Sequence, residues 1–255
     1  MSKLIVLILL VTATALIAGG CATAQNKLQP VLLPVNGPVS VVLDSFAGDV
    51  RIVADPDVTE ATVTATTQAF HSLTRMDEAA ASLANIQFHA VLVPADVGQA
   101  IQVTTTSDDP EDHHQGVNIT IIAPNIDGVH VKTKRGSVVL DNIRGQVDVT
   151  TNDGDVSILT THAMLKPVKV LNVNGDIIYR VRGESAGKFD CEAINGSVNF
   201  YAQHSQATVH RNSDHDSLVA TLNDGTNPIL LRTVHGDISV SVSSDPRDVG
   251  LQLFH

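Results

Sequence analysis

Two stretches of the chain combine histidine with acidic residues, which are side-chain types that hold divalent metal ions. In the sequence DPEDHH, His113 and His114 could coordinate a metal together with Glu111 or Asp112. Adjacent histidines on a loop rarely both reach one ion, and the ligand spacings of structural zinc are missing. Residues 213–216 (SDHD) have a similar composition. We interpret both stretches as solvated loops, with His113 and His114 as weak metal candidates, and predict no cofactor.

Three aspartates occupy the same place in a repeated corner motif: Asp155, Asp176 and Asp237. Carboxylates stacked ~5 Å apart repel one another unless a cation or solvent screens them, so calcium is one explanation. However, serines replace the aspartate in other copies of the motif, and the Gly-Gly-x-Gly-x-Asp nonapeptide of calcium-binding β-rolls is missing. Solvated turn residues are the better interpretation.

Motifs of zinc peptidases and nucleotide-binding proteins are missing from the sequence. It contains no H-E-x-x-H and no phosphate-binding loop. A β-helix enzyme acting on acidic polysaccharides would need paired carboxylates or basic residues in a cleft, often with aromatic platforms. With two Tyr, no Trp and 16 Lys plus Arg, the chain does not favour this class. We predict a non-enzymatic protein, and a carbohydrate-active β-helix enzyme is the alternative.

The N-terminus has the layout of a secretory signal: a basic start, an apolar middle and small residues before a cysteine. The apolar run from Leu4 to Ile17 is short for a membrane span. Ala18-Gly19-Gly20-Cys21 resembles the lipobox of bacterial lipoproteins, although Ala18 stands where leucine is usual. The resemblance implies that Cys21 is lipidated and becomes the new N-terminus. Ala22, in place of Asp, implies forwarding to the outer membrane where the cell has one. An ordinary signal peptide cleaved nearby is the alternative.

The only other cysteine, Cys191, falls in an apolar column of the repeat described below, so we predict a buried, unreactive thiol.

The 255-residue chain is 43% hydrophobic with 3% aromatic residues, so its core must be assembled mainly from Val, Ile, Leu and Thr, which favour strands. Its net charge of −11 disfavours binding to nucleic acid and simple electrostatic docking to anionic lipid.

A corner motif, polar–Gly–small polar–aliphatic, recurs about every 20 residues in the second half of the chain, a period typical of solenoids. The predicted corner residues are Gly136, Gly154, Gly175, Gly196, Asp216 and Gly236, with aspartate replacing glycine in one unit. Gly supplies the positive φ of such corners.

Alternating apolar residues flank each corner and predict two strands per unit. The first apolar position after the corner is occupied by Val138, Val156, Ile177, Val198, Leu218 and Ile238. Matching columns favour stacked, in-register strands, because equal positions then touch. We predict an all-β fold, a parallel β-helix-like β-solenoid of six ~20-residue, two-strand rungs. An antiparallel β-meander or sandwich, with the corners as hairpin turns, is the alternative.

The predicted organisation has four parts. Residues 1–20 form a lipoprotein signal peptide, and residues 21–37 form the lipidated cysteine and a flexible tether. Residues 38–128 form an N-terminal β-rich part with a capping helix at 74–86, which Thr74 could cap and whose apolar stripe includes Ala79. Residues 129–255 form the repeats.

The corners of GDV and GSV type, the stretch NITIIAPNIDGVHVKTKRGSV and the lipobox together resemble the putative adhesin domain family, bacterial β-repeat proteins of the envelope. The resemblance spans about Val39 to Val242 and implies a repetitive β fold at the cell surface or in the envelope, without catalytic residues to carry over. We therefore predict a lipid-anchored envelope protein for adhesion, for binding a protein or glycan partner, or for structural support. An envelope-stress signalling accessory is a further alternative.

Overall fold

The computed structural model describes residues 16–18, 21–72, 75–95, 98–109, 112–213 and 215–247. Within them the chain is nearly all β-strand with one short α-helix, so the predicted all-β class is confirmed. Most of the predicted signal peptide lies outside the described residues, and its cleavage stays a prediction.

Most strands are short. The first half contains β1 (Leu16–Ala18), β2 (Cys21–Lys27), β3 (Val31–Leu33), β4 (Val39–Ser45), β5 (Val50–Ala54), β6 (Ala61–Ser72), β7 (Ile86–Pro94), β8 (Gln99–Ser107), β9 (Gln115–Ala123), β10 (Ile126–Thr133) and β11 (Val138–Asp141). The second half contains β12 (Arg144–Thr150), β13 (Val156–Leu159), β14 (Val168–Leu171), β15 (Ile177–Arg182), β16 (Gly187–Asn195), β17 (Val198–Ala202), β18 (Ala207–Ser213), β19 (Ser217–Leu222), β20 (Pro228–His235) and β21 (Ile238–Ser243).

Two mixed sheets contain these strands. The eleven-stranded sheet has the order β1-β2-β6-β9-β5-β11-β13-β15-β21-β17, with β3 also paired to β6. The ten-stranded sheet has the order β18-β19-β16-β20-β14-β12-β10-β4-β8-β7. One continuous apolar core takes the buried residues of both sheets, and rings of Tyr179, Phe189 and Phe200 pack edge to face near one end.

A repeating unit connects the sheets. In the described residues, seven strand pairs each pass from the ten-stranded sheet through a corner into the eleven-stranded sheet: β8/β9, β4/β5, β10/β11, β12/β13, β14/β15, β20/β21 and β16/β17. Neighbouring pairs are parallel and in register. The antiparallel meander, the alternative topology, is found only at the two ends of the sheets.

The predicted register column is confirmed in five of its six members. Val138 pairs with Val156, which pairs with Ile177. The column then continues to Ile238 and ends at Val198. The prediction for Leu218 is wrong, because this residue lies in the other sheet opposite Cys191. Val50, of the single corner motif in the first half, extends the column beyond Val138.

A column of glycines explains why these pairs stack so closely. A Cβ added to Gly154 would lie 2.4 Å from the carbonyl oxygen of Gly136, and one added to Gly175 would lie 2.5 Å from that of Gly154. The same relation, at 2.0–2.3 Å, links the neighbours along the column, which runs Gly48, Gly136, Gly154, Gly175, Gly236 and Gly196. No other residue type fits between two such corners without displacing backbone.

The prediction that Asp216 forms a corner is wrong for that reason. Its Cβ would meet the backbone of the neighbouring corner, and the chain instead turns back. Residues 207–222 form the antiparallel hairpin β18–β19, with Ser213 opposite Ser217. Asp216 lies in its turn, and its carbonyl accepts a hydrogen bond from the N–H of Ala193.

The stacking order also departs from the order in the chain. The last pair, β20/β21, lies between β14/β15 and β16/β17, although β16/β17 comes earlier in the sequence. Likewise β4/β5 lies between β8/β9 and β10/β11. The predicted boundary between residues 128 and 129 falls inside β10, and β10 pairs directly with β4 of the first part.

The helix is shorter than the predicted range 74–86. Helix α1 spans Met76–Ser82 and continues as a 3-10 turn over Leu83–Asn85. Its N-cap is Arg75, without a side-chain capping bond. Thr74, the predicted cap, lies outside the described residues. α1 lies against β2 and β6 and buries Ala79.

The predicted tether is partly ordered. Residues 21–27 form β2, which pairs antiparallel with β6 from Cys21 opposite Ser72 to Lys27 opposite Thr66. Strand pairing over seven residues attaches this segment to the sheet, so it is not a flexible linker there.

Candidate binding cleft

An open cleft of about 290 Å³ lies where β8, β4 and β10 end. Parallel pairing places Thr104 of β8, Asp44 of β4 and Lys132 of β10 side by side. Each of these residues alternates with buried neighbours along its strand, so all three side chains point away from the core. The sheet therefore holds a hydroxyl, a carboxylate and an ammonium group in one row.

A second row completes the cleft with Thr106, Phe46, Lys134 and Asp112. Asp112 comes from a 3-10 turn, and its carbonyl oxygen accepts a hydrogen bond from Nη2 of Arg135 at 2.9 Å. Nζ of Lys134 lies 4.0 Å from Oδ2 of Asp112. These contacts attach the turn to the corner that follows β10.

The floor of the cleft is built from buried hydroxyls that are already paired. Oγ of Ser45 and Oγ1 of Thr105 lie 2.8 Å apart, and Oγ1 of Thr133 donates to the carbonyl oxygen of Arg135 at 3.1 Å. Because these hydroxyls have partners, the floor is held in one arrangement.

The cleft is suited to binding polar groups. It offers two carboxylates, Asp44 and Asp112, and two ammonium groups, Lys132 and Lys134. Within the described residues, Asp44 and Lys132 have no ion-pair partner, so both charges face the space where a ligand would lie. A ligand rich in hydroxyl or amide groups can donate to the carboxylates and accept from the ammonium groups. Neither histidine nor cysteine belongs to this lining.

Sequence reasoning missed this cleft. The alternation in VSVVLDS and VHVKT does place Asp44 and Lys132 at outward positions. Nothing local indicates that two strands so distant in the chain are neighbours, since that depends on which pairs stack.

The weak metal candidates are not brought into a cluster. The ring of His114 packs against that of His71, with centroids 5.3 Å apart, while the side chain of His113 lies outside the described part. Among the described residues, no three His, Cys, Asp or Glu side chains are grouped to hold a metal ion.

The corner aspartates form a hydrogen-bonded ladder. The N–H of Asp176 donates to Oδ1 of Asp155, and the N–H of Asp237 donates to Oδ1 of Asp176, both at 2.8 Å. The N–H of Ser197 donates to Oδ1 of Asp237 at 2.7 Å. Each carboxylate thus satisfies the backbone of the next corner, which explains acidic residues at these positions without a cation.

The structure describes the backbone of Cys21 and both the backbone and the side chain of Cys191. Cys21 begins β2, and its lipidation stays a prediction. Cys191 is a free, fully buried thiol, as predicted. Burial raises its pKa to about 12, assisted by nearby Asp190 and opposed by Arg232. Since the thiolate is the nucleophile, Cys191 is unreactive at neutral pH.

No helix in the described ranges is long and apolar enough to cross a membrane. The comparison with curated proteins finds no match.

Residues 115–241 match the model of a protein family described as Toastrack DUF4097. A crystal structure of a "putative cell adhesion protein" from Clostridium sporogenes aligns over 86% of this chain and 99% of its own, with 11% identity and a TM-score of 0.55. A "putative adhesin" from Bacteroides fragilis aligns over 85% and 97%, with 10% identity and a TM-score of 0.33. From β9 to β21 the chain is therefore similar to the Toastrack family, and it shares its fold with the Clostridium protein.

Proposed function

We propose that this chain is a non-enzymatic β-repeat protein of the cell envelope, anchored by a lipid on Cys21, which binds a polar partner at the cleft of Asp44 and Lys132. The observation that carries the binding part is the cleft itself. Its two charged side chains stand on adjacent paired strands above a hydrogen-bonded floor, so the backbone that carries them is already in place for a ligand. The adhesion label of the Clostridium protein agrees with a binding role at the surface.

The partner that best fits the cleft is a protein or glycan segment rich in hydroxyl or amide groups. Both signs of charge are present in equal number among the lining side chains, so neither a polyanion nor a polycation is favoured. The net charge of −11 further opposes polyanions. A stacked solenoid, which the in-register pairs and the Toastrack similarity support, would hold this cleft at a fixed height above its anchor.

Binding is tested by a pull-down from envelope fractions with the wild-type protein, Asp44→Ala/Lys132→Ala and the matched control Asp127→Ala/Lys169→Ala. The control pair has the same charges and lies outside the cleft. We expect the cleft variant to lose the partner that the wild type and the control retain. Equal recovery of every partner by all three proteins would contradict the assignment of the cleft.

The anchor is tested separately by growing cells with an alkyne analogue of palmitate. Wild type should incorporate the label, Cys21→Ser should not, and Cys191→Ser should incorporate it normally because that thiol is buried. Labelling of Cys21→Ser would overturn the lipid anchor and leave the cleft untouched.

A further inference from the structure

One end of the stack is stepped. The pair β16/β17 is the last to span both sheets, and β17 ends the eleven-stranded sheet. The ten-stranded sheet continues for two more strands, β19 and then β18. Among the described strands none pairs with the outer edge of β17 or of β18, so each sheet ends in a free edge.

The backbone of β17 still offers hydrogen-bonding groups on its free side. The backbone groups of Gln203 and Ser197 point toward β21. The N–H of Gln203 donates to the carbonyl of Val242, and the carbonyl of Ser197 accepts from the N–H of Ile238. Because backbone groups alternate in direction along a strand, the N–H and C=O groups of Val198, Phe200 and Ala202 point to the outer edge of the sheet. The N–H of Val198 is bonded to the carbonyl of His215, so Phe200 and Ala202 are the positions left for pairing.

The stepped end carries no formal charge over a long run. From Ile194 to His210, seventeen residues that include β17 and the start of β18, there is no Asp, Glu, Lys or Arg. Exposed edge strands are ordinarily protected by lysine, proline or a bulge, because bare edges recruit other strands. The run contains neither lysine nor proline. The one register irregularity of β18 against β19 lies between Val209 and Arg211, so β18 is regular from Ala207 to Val209.

Apolar side chains are exposed at the same place. Ile194 is 60%, Tyr201 40% and Val209 51% exposed, while Val198 and Phe200 are only partly covered. A protein of net charge −11 repels its own copies over most of its surface, but not here. The edge, the lack of charge and the exposed apolar groups coincide at the step.

We propose that a second copy of this chain docks on the step, forming a closed two-fold dimer. A two-fold axis parallel to the strands, placed in the middle of the step, exchanges the planes of the two sheets. It brings β18 of each copy beside β17 of the other, and both sheets then run continuously from one copy into the next. The two-strand excess of one sheet fills the two-strand deficit of the other, so no gap remains.

The contact is self-complementary, as a two-fold interface requires. The backbone N–H and C=O groups of Phe200 and Ala202 in one copy pair with β18 of the other copy. The side chain of Val209 in that β18 then packs in a core shared with Phe200. Once both edges of the step are used, no further copy can add at this end, so this contact closes at two copies.

The dimer has a consequence that rests on the proposed lipid anchor. β2, which begins at Cys21, lies eight strand steps from β17, or about 38 Å at ~4.8 Å per strand. In the dimer the two anchors stand at opposite ends of a rod of about 90 Å. Copies held by Cys21 would therefore join two apposed membranes, which is homophilic adhesion, rather than pair within one membrane.

The dimer is tested by sedimentation velocity of the detergent-solubilised full chain over a range of concentrations. The key variant is Val209→Lys, which puts a charge into the contact. Its control is Val91→Lys, because Val91 is 48% exposed in β7, the edge strand at the opposite end of the same sheet. We expect a wild-type dimer, a dissociation constant raised at least tenfold by Val209→Lys, and no change with Val91→Lys.

A wild-type monomer at 200 µM, equal weakening by both variants, or assembly beyond two copies would overturn the dimer. The membrane arrangement is tested by light scattering of phosphatidylcholine vesicles bearing the lipidated protein. Clustering that Val209→Lys abolishes and Val91→Lys preserves supports it. A dimer in solution without vesicle clustering refutes the bridging alone.

Discussion

The glycine column gives the sharpest test of the stacked fold. In Gly154→Ala the new Cβ would lie 2.4 Å from the oxygen and 2.5 Å from the carbon of the Gly136 carbonyl, and the residue keeps a φ of +125°. An alanine at such a φ costs about 1–3 kcal/mol. Forcing two corners apart adds about 1–3 kcal/mol, as other overpacking does. We expect Gly154→Ala to lower the free energy of unfolding by about 3 kcal/mol or more.

Gly37→Ala separates the two costs. Gly37 has a φ of +83° and nothing within 4 Å of its Cβ position, so it carries only the backbone cost of about 1 kcal/mol. Urea unfolding followed by circular dichroism measures both variants, with the slope checked for two-state behaviour. If Gly154→Ala were no worse than Gly37→Ala, the close approach of the corners would not limit the stacking, and the reasoning from the column would fail.

Three further changes test single contacts. Tyr179→Phe should raise the free energy of unfolding by about 1 kcal/mol, because the buried Tyr179 hydroxyl has no hydrogen-bond partner among the described residues; a loss of stability in urea unfolding would contradict this. Asp176→Ala should lower stability by about 1 kcal/mol through the bond from the N–H of Asp237, whereas Asp176→Asn, which keeps an acceptor oxygen, should stay near wild type; equal losses would argue against the ladder. For Cys191, burial raises the pKa from 9.0 to about 12, so the thiol of the unfolded chain ionises first and the free energy of unfolding falls as pH rises from 9 toward 12. Cys191→Ala should make this fall with pH less steep. An unchanged dependence on pH in urea titrations would refute the contribution of Cys191.

The position of the cleft shows why part of the candidate site was not predictable. Asp44 and Lys132 are recognisable as outward residues of strands from their alternation with valine and leucine. Their meeting depends on β4 lying beside β10, with a helix and five strands intervening in the chain. The histidines of DPEDHH are of a residue type that suits metals, yet the ring of His114 packs on that of His71.

The amino-acid sequence by itself determined the local pattern of this protein. Alternating apolar residues define the strands, and glycine marks the corners that link the two sheets, because both signals act over a few residues. The tertiary structure decided which unit lies on which. The corners around Gly175, Gly236 and Gly196 are nearly interchangeable as neighbours, so the sequence spacing favours no order among them. Packing of all units into one stack decides that β20/β21 lies before β16/β17. It also decides the reversal at Asp216 that creates the stepped end.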